Sequence, residues 1–246
     1  PPVSDTTLPS PVVEQDGESV IMSFDEVSVQ SRMRLDDPTA LDLDYSRVMM
    51  AFLLLQPQPE SILMIGLGGG SLAKYCHRHL PQARITVVEI NPEVMAARET
   101  FQVPADGELF SVVQGDGAAF LATTPRDSYD VILVDGFGPE GEQPEDLCSL
   151  AFYKSCRAAL RPSGVLMVNL QDKEPQCSRL IGRIWQMFGE PVVPLEVACG
   201  GNLVVLAGDA LAAAAEAARS GGETLTASQV RLLPVLPNPG KLICVG

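Results

Sequence analysis

The chain has 246 residues, 46% of them hydrophobic, which is enough for one large α/β domain or for one domain with a small appendage. Its net charge of -14, from 31 acidic and 17 basic residues, argues against a nucleic acid as the main partner. No apolar run reaches the roughly 18 residues of a membrane span, and the scattered cysteines form no C-x-x-C pair, so we expect a cytoplasmic protein with reduced thiols.

The N-terminal part of the chain differs in composition from the rest. Residues 1–17 are proline-rich and polar, and we expect them to have no fold of their own. Residues 19–24 and 26–31 alternate in polarity like the two strands of a short β-hairpin. The predicted domains are therefore residues 1–43, a tail with a β-hairpin, and residues 44–246, an α/β domain.

A glycine-rich turn follows the first predicted strand of the larger domain. The apolar run 61–65 ends in a segment that contains Gly66, Gly68 and Gly70, and residues with helix-forming character follow. Glycine tolerates positive φ and has no Cβ, so a ligand can approach the backbone and the helix N-terminus closely. The pattern predicts a nucleotide site between a buried strand and a helix. A plain structural turn is the alternative.

The next predicted strand, 85–89, ends on a carboxylate. Glu89 lies about 20 residues beyond the glycines, the spacing at which a doubly wound fold places an acid on the two hydroxyls of a ribose. Asn91 then suits an N-cap, and Pro92 suits the first position of a helix. These residues favour a nucleoside site over the alternative that Glu89 is an ordinary exposed acid at a strand end.

Strands and helices continue to alternate along the chain. The seven predicted strands of this domain are 62–65, 85–89, 110–114, 129–135, 165–170, 192–197 and 202–206. The predicted helices are 45–54, capped by Asp44, and 72–79, 92–101, 149–160, 175–188 and 210–219. This order predicts an α/β fold with a doubly wound, mostly parallel seven-stranded sheet that ends in a hairpin. Ligands of such folds bind at the carboxyl ends of the strands, where Asp116 and Asp135 also lie.

Several segments together match one known family. They are the glycine turn, Val88-Glu89-Ile90, Gly115-Asp116-Gly117, residues 129–135, Leu160-Arg161-Pro162-Ser163-Gly164, the hairpin with Gln30, and Tyr45 on the following helix. This set resembles the spermidine synthase family of polyamine aminopropyltransferases, a branch of the S-adenosylmethionine-dependent methyltransferase fold, itself a Rossmann variant. The resemblance covers roughly residues 18 to 208 of the chain.

The resemblance implies a ligand and a role for each matching residue. The residues implied to bind the adenosyl group are Gln30, Gly66, Gly68, Gly70, Glu89, Ile90, Asp116 and Gly117. Asp135 and Tyr45 are implied to be catalytic, with Asp135 placed to take a proton from the reacting amine. The implied co-substrate is decarboxylated S-adenosylmethionine or S-adenosylmethionine, the implied partner is a small-molecule amine, and the implied assembly is a homodimer. No metal is expected, because His77 and His79 face different ways on a helix.

Three positions depart from the family's pattern. Gly69 stands where the family's Gly-Gly-Gly-Asp-Gly has its acid, Gly138 stands at the second acid of Asp-x-x-Asp-Pro, and Arg47 stands where an acid follows the tyrosine by two residues. An ammonium group that is desolvated without a counter-charge costs several kcal/mol, so we expect ordinary diamines to bind poorly and the acceptor to differ. The loop acids that would change this expectation by bending into the site are Glu140, Glu142, Glu145 and Asp146. Their alternative is a solvated loop.

Three other functions stay open. A methyltransferase on the same fold needs a cation for the carboxylate of its cofactor, and Arg32 and Arg47 are the candidates. A nucleotide dehydrogenase nearly fits the glycine motif, but Ser71 stands at the last position of that motif. A non-catalytic relative of the family would also show the lost acids.

Overall fold

The computed structural model describes residues 8–24, 29–138, 141–172, 177–198 and 200–219. The strands in these ranges are β1 Val12–Asp16, β2 Ser19–Ser23, β3 Val29–Arg34, β4 Ser61–Ile65, β5 Arg84–Glu89, β6 Phe110–Gln114, β7 Tyr129–Val134, β8 Leu160–Gln171, β9 Val193–Glu196 and β10 Asn202–Ala207. The α-helices are α1 Asp44–Met49, α2 Ser71–His79, α3 Pro92–Ala96, α4 Gly117–Thr123, α5 Leu150–Ala159, α6 Cys177–Phe188 and α7 Asp209–Arg219, and short 3-10 helices cover Met50–Leu54 and Glu145–Cys148.

The large sheet has seven strands in the order β6-β5-β4-β7-β8-β10-β9. The first five of these strands in that order are parallel, whereas β10 runs antiparallel to both β8 and β9. This arrangement confirms the predicted mostly parallel sheet with a closing hairpin. The chain moves outward from β4 to β6 and then returns to place β7 on the other side of β4, so a crevice opens at the carboxyl ends of β4 and β7.

The central strands are buried on both faces, which explains their nearly continuous apolar sequence. All five residues of β4 are buried, and one side of the sheet is covered by α1, α2, α7 and the N-terminal sheet, while α4, α5 and α6 cover the other. Side chains such as Ile62 and Leu63 are fully inaccessible and point to opposite layers. The sheet is therefore doubly wound, and it holds the strand ends in fixed positions.

The N-terminal appendage is a three-stranded antiparallel sheet in the order β1-β2-β3, so it has one strand more than the predicted hairpin. β1 lies within residues 1–17, which were expected to have no fold, and Gly17, with φ of 57°, makes the turn into β2. The described part of the tail is therefore ordered from β1 onward. The turn of the predicted hairpin, residues 25–28, lies outside the described residues.

Two of the helix predictions need correction. Asp44 is the first residue of α1 and not its cap: Leu43 holds the N-cap position without a side-chain cap, and the carboxylate of Asp44 pairs with the guanidinium of Arg47. After Met49 the chain tightens into the 3-10 helix. α3 also ends at Ala96, well before the predicted end of the helix at residue 101, although its predicted Asn91 cap is confirmed.

In the described part of the chain, no helix has both the length and the apolar character that a membrane crossing requires. The same residues contain no cluster of histidine, cysteine, aspartate and glutamate side chains that is suited to a metal ion.

Candidate active site

A cavity of about 490 Å³ opens at the carboxyl ends of the central strands. This volume lies within the range of ordinary small-molecule sites, about 300–1,000 Å³. Its wall comes from the ends of β4, β5, β7, β8 and β10, from β3 of the N-terminal sheet, and from the loop that follows β7. One end is formed by the glycine turn and Glu89, and the other contains Asp135 and the loop after β7. We call these the nucleoside end and the acid end.

The glycine turn forms one wall of the nucleoside end. Gly66 has φ of 95°, and a Cβ at this position would overlap the carbonyl oxygen of Asp135, so only glycine lets β4 and β7 end side by side. Gly68 also has positive φ and lines the cavity. Gly70 does not line it, because it is the left-handed N-cap of α2 and packs against Val103. Two of the three predicted glycines therefore face the cavity, and the third shapes the turn.

Glu89 fastens this turn to the end of β5. Its carboxylate is 7% exposed, and it accepts a hydrogen bond from the backbone N–H of Leu67 at 2.8 Å and another from that of Asn91 at 2.8 Å. Burial raises the pKa of Glu89, and the surrounding backbone N–H groups oppose that rise. The side chain lines the cavity beside Ile90. Contact of Glu89 with a ribose stays a prediction.

The N-terminal sheet forms the wall opposite the turn. The backbone N–H of Gly69 donates to Ser31 Oγ at 2.8 Å, which ties β3 to the glycine turn and brings Gln30 to the cavity. Asn91 Nδ2 donates to the carbonyl oxygen of Pro9 at 2.9 Å, so the chain before β1 lies over the same end. The appendage is thus part of the site, and sequence reasoning found only Gln30 of these contributions.

Asp116 is the N-cap residue of α4. Its Oδ1 accepts from the backbone N–H of Ala119 at 2.7 Å and caps α4. Gly115 and Gly117 line the cavity on either side of it, whereas the Asp116 side chain is half-buried and is not part of the lining. Contact of Asp116 with an adenine stays a prediction.

At the acid end, Asp135 is held by two donors. Tyr45 Oη donates to Asp135 Oδ2 at 3.1 Å, and Asn169 Nδ2 donates to Oδ1 at 2.8 Å. Burial raises the pKa of Asp135, while the two donors lower it. Burial and the nearby Asp135 charge raise the pKa of Tyr45 well above 10, so the phenol stays neutral and keeps donating. The two residues predicted to be catalytic are therefore in direct contact.

A second asparagine completes this network. Asn169, on β8, is 1% exposed, and its Oδ1 accepts from Asn202 Nδ2 on the neighbouring strand β10 at 3.1 Å. The contact fixes the orientation of the Asn169 amide, so that its nitrogen faces Asp135. Sequence reasoning missed both asparagines. The available signal was a polar residue within the apolar run 165–170.

The loop after β7 closes the acid end. Glu142 lines the cavity, and a Cβ at Gly138 would overlap its carboxylate. Glu145 and Asp146 do not line the cavity, as expected for solvated loop acids, and Glu140 lies outside the described residues. At Gly69, the first departure from the family pattern, a Cβ would lie 2.6 Å from the ring of Phe101, so a side chain there would meet the core.

The two candidate cations do not reach the cavity. Arg47 pairs with Asp44 and donates to the carbonyl oxygens of Leu41 and Asp42, so it braces the segment before α1. The Nε atom of Arg32 lies 3.8 Å from the Asp42 carboxylate. The expectation that Arg47 faces an amine or a cofactor carboxylate is therefore wrong. Among the residues whose positions the structure describes, no lysine, arginine or histidine lines the cavity, whereas three carboxylates do: Glu89, Asp135 and Glu142.

Comparison with known sequences gives a consistent result. The Spermine/spermidine synthase domain matches residues 43–192. The chain is 40% identical over 202 residues to a polyamine aminopropyltransferase of Chromobacterium violaceum, covering 81% of this chain and 76% of that protein. It is 39% identical over 203 residues to the polyamine aminopropyltransferase of Neisseria meningitidis serogroup A, again covering 81% and 76%.

Solved structures share the fold. A probable spermidine synthase from Corynebacterium glutamicum superposes with a TM-score of 0.71 at 21% identity, covering 81% of this chain and 76% of that one. A spermidine synthase in complex with the transition state analogue AdoDATO has a TM-score of 0.61 at 19% identity, and the match covers 81% of this chain and 73% of that one. Human Methyltransferase-like protein 13 in complex with SAH has a TM-score of 0.61 at 21% identity, and the match covers 76% of this chain and 97% of that one. These structures share the fold, and the sequence matches show that the chain belongs to the spermine/spermidine synthase family.

Proposed function

We propose that this protein transfers the aminopropyl group of decarboxylated S-adenosylmethionine to an amine acceptor. The observation that carries the proposal is the charge of the cavity, whose described lining has three carboxylates and no cationic side chain. The donor is a cation at its sulfonium and at its propyl ammonium, and the acceptor is an amine. A carboxylate-bearing donor such as S-adenosylmethionine would bring an anion to a site that has no described counter-charge, which costs several kcal/mol.

The nucleoside end suits the adenosyl part of the donor. Glu89 holds its carboxylate at the cavity surface with both oxygens already aligned by backbone N–H groups, so a ribose diol can donate to their remaining lone pairs. Gly66 and Gly68 let the ligand approach the backbone without a Cβ in the way. The turn itself is buttressed by the N-terminal sheet through Ser31.

The acid end suits the transfer step. The lone pair of the acceptor nitrogen attacks the propyl carbon that is bonded to the sulfonium sulfur. A C–N bond forms as the C–S bond breaks, and its electron pair neutralises the sulfur and releases methylthioadenosine. The nitrogen loses one proton, which Asp135 accepts. A carboxylate with a raised pKa is a better match for an amine proton than an ordinary exposed one, and Tyr45 and Asn169 hold its two oxygens in place.

A direct transfer assay tests the proposal. The protein is incubated with decarboxylated S-adenosylmethionine and 1,4-diaminobutane, and methylthioadenosine and the aminopropylated amine are measured by chromatography and mass spectrometry. We expect equal amounts of the two products, and none without the amine. Methyl transfer from S-adenosylmethionine to the same amine, or the absence of any product with a panel of primary amines, would contradict the proposal.

A further inference from the structure

The loop after β7 folds back on itself and brings an acid over a glycine. The backbone N–H of Gly138 donates to the carbonyl oxygen of Glu142 at 2.8 Å, and the N–H of Gly141 donates to that of Gly138 at 3.0 Å. Gly141 makes this turn with φ of 81°. The Glu142 side chain then lies across the α-carbon of Gly138, in the space that a side chain at position 138 would occupy.

This overlap gives the missing acid of the sequence pattern a different interpretation. Position 138 carries an acid in the family that the chain resembles, and here it is glycine. The space beside it nevertheless contains a carboxylate, which arrives from a position four residues later along the same loop. A glycine at 138 is what makes room for it, because any Cβ there would displace the Glu142 carboxylate.

The two carboxylates of the acid end differ in their surroundings. Asp135 is half-buried and bound by Tyr45 and Asn169, which suits the group that meets the reacting nitrogen. Glu142 is exposed and lines the same cavity from the loop. The reacting nitrogen needs one carboxylate. A second carboxylate in the lining of the same cavity suits a second ammonium, and a diamine acceptor carries one at its far end. The propyl ammonium of the donor is present with every acceptor, so a comparison of diamine with monoamine distinguishes the two.

We propose that Glu142 is a specificity-determining residue that pairs with the distal ammonium of a diamine acceptor, in place of the acid absent from position 138. This inference rests on the proposed function, and it reverses the expectation from sequence that ordinary diamines bind poorly. The two classes of acceptor should therefore differ. Glu142 contributes to the recognition of the distal ammonium of a diamine, a group that a monoamine of the same length lacks.

The test compares 1,4-diaminobutane with butylamine, using kcat/KM for the wild type and for Glu142→Gln. With the donor saturating, we expect kcat/KM for the diamine to fall about 3- to 10-fold, the range for one exposed ion pair that becomes shielded when the ligand binds, with no change for butylamine. Glu145→Gln is the matched control, because Glu145 is an exposed acid of the same loop that does not line the cavity. It should leave both values unchanged.

A relocation variant tests the spatial claim. Glu142→Ala alone should lose the preference for the diamine. The double variant Gly138→Asp, Glu142→Ala carries a carboxylate at position 138 instead of 142, and we expect it to recover that preference. Methylthioadenosine affinity, measured by titration, should be the same in all variants and reports correct folding.

The outcomes separate this inference from the proposed function. If the wild type transfers aminopropyl groups and Glu142→Gln changes the diamine and butylamine values equally or not at all, the inference is wrong and the function stands. If the wild type transfers nothing, the function is wrong. Titration of 1,4-diaminobutane into the methylthioadenosine complex then still tests Glu142, since equal diamine affinity in wild type and Glu142→Gln would overturn its role.

Discussion

The two ends of the cavity are built in different ways. At the nucleoside end, the contact from Leu67 to Glu89 joins residues 22 apart, within neighbouring strand and helix units, and most of the groups are backbone atoms. At the acid end, the contact from Tyr45 to Asp135 joins residues 90 apart, and those from Asp135 to Asn169 and from Asn169 to Asn202 span 34 and 33 residues. The acid end is therefore formed by hydrogen bonds between side chains from distant segments of the chain.

Because of this difference, the nucleoside end depends on the backbone of the fold, whereas the acid end depends on side chains that can be replaced one at a time. A glycine turn and its backbone hydrogen bonds cannot be altered without disturbing β4 and β7, because a Cβ at Gly66 would overlap the backbone of Asp135. The acid end consists of side chains that hydrogen-bond to one another on a rigid sheet edge. We therefore expect substitutions at the nucleoside end to affect binding and stability together, and those at the acid end to affect transfer alone.

Replacement of Asp135 by asparagine has the largest expected effect. The variant loses the proposed proton acceptor, so the transfer rate should fall by about 10²- to 10⁴-fold, while methylthioadenosine affinity stays the same. The raised pKa of Asp135 means that its ionised form opposes folding above that pKa, so the free energy of unfolding should not decrease at neutral pH. Single-turnover kinetics, titration and denaturant unfolding measure the three quantities. A parallel loss of nucleoside affinity would break the distinction between the two ends.

Replacement of Glu89 by alanine should have the next largest effect. The variant leaves the N–H groups of Leu67 and Asn91 without their acceptor and removes the carboxylate that we propose meets the ribose. We expect methylthioadenosine to bind about 100-fold more weakly and the free energy of unfolding to fall by about 1–3 kcal/mol. Calorimetric titration and urea unfolding measure these changes. Full nucleoside affinity in this variant would remove Glu89 from the site.

Replacement of Asn169 by leucine should change the pH dependence of transfer. Loss of the Asn169 donor raises the pKa of Asp135 further, since that hydrogen bond favours the ionised carboxylate. The base must be ionised to act, and activity is lost as the pH falls through its pKa, so the acid limb of kcat/KM should move to higher pH. We expect a loss of about 10-fold on that limb, with recovery at higher pH. A loss that is equal at every pH would indicate a packing defect instead.

The smallest expected effect is that of Ser31→Ala. The substitution removes the acceptor for the Gly69 N–H and loosens the N-terminal sheet from the glycine turn. One neutral hydrogen bond corresponds to about 5-fold in nucleoside affinity, and kcat should be unchanged once the donor is saturating. Steady-state kinetics with varied donor measure both values. A large fall in kcat would place Ser31 nearer to the transfer step than the structure does.

The sequence predicts the nucleoside end well because its determinants are local. The apolar run before the glycines, the spacing to Glu89 and the Asn91 cap all act within one or two elements, and the structure confirms the strands, the cap and the sheet class. β1 was missed because its side chains are mostly exposed and leave little apolar alternation to detect.

The acid end was predicted less completely because its partners are set by the tertiary fold. Asp135 and Tyr45 were found through a family resemblance, whereas their link through Asn169 to Asn202 depends on β10 lying beside β8. Arg47 was placed in the site from its distance to Tyr45 along the chain. In the structure its guanidinium turns to Asp44 and to nearby carbonyl oxygens, which are partners that sequence spacing does not reveal.

The most direct test of the account compares two donors that differ by one carboxylate. Decarboxylated S-adenosylmethionine and S-adenosylmethionine are titrated separately into the protein by calorimetry, with methylthioadenosine as the common reference for the nucleoside end. A cavity whose described lining has the carboxylates of Glu89, Asp135 and Glu142 and no cationic side chain predicts that the decarboxylated donor binds at least about 10-fold more tightly. Equal or tighter binding of S-adenosylmethionine would contradict the account.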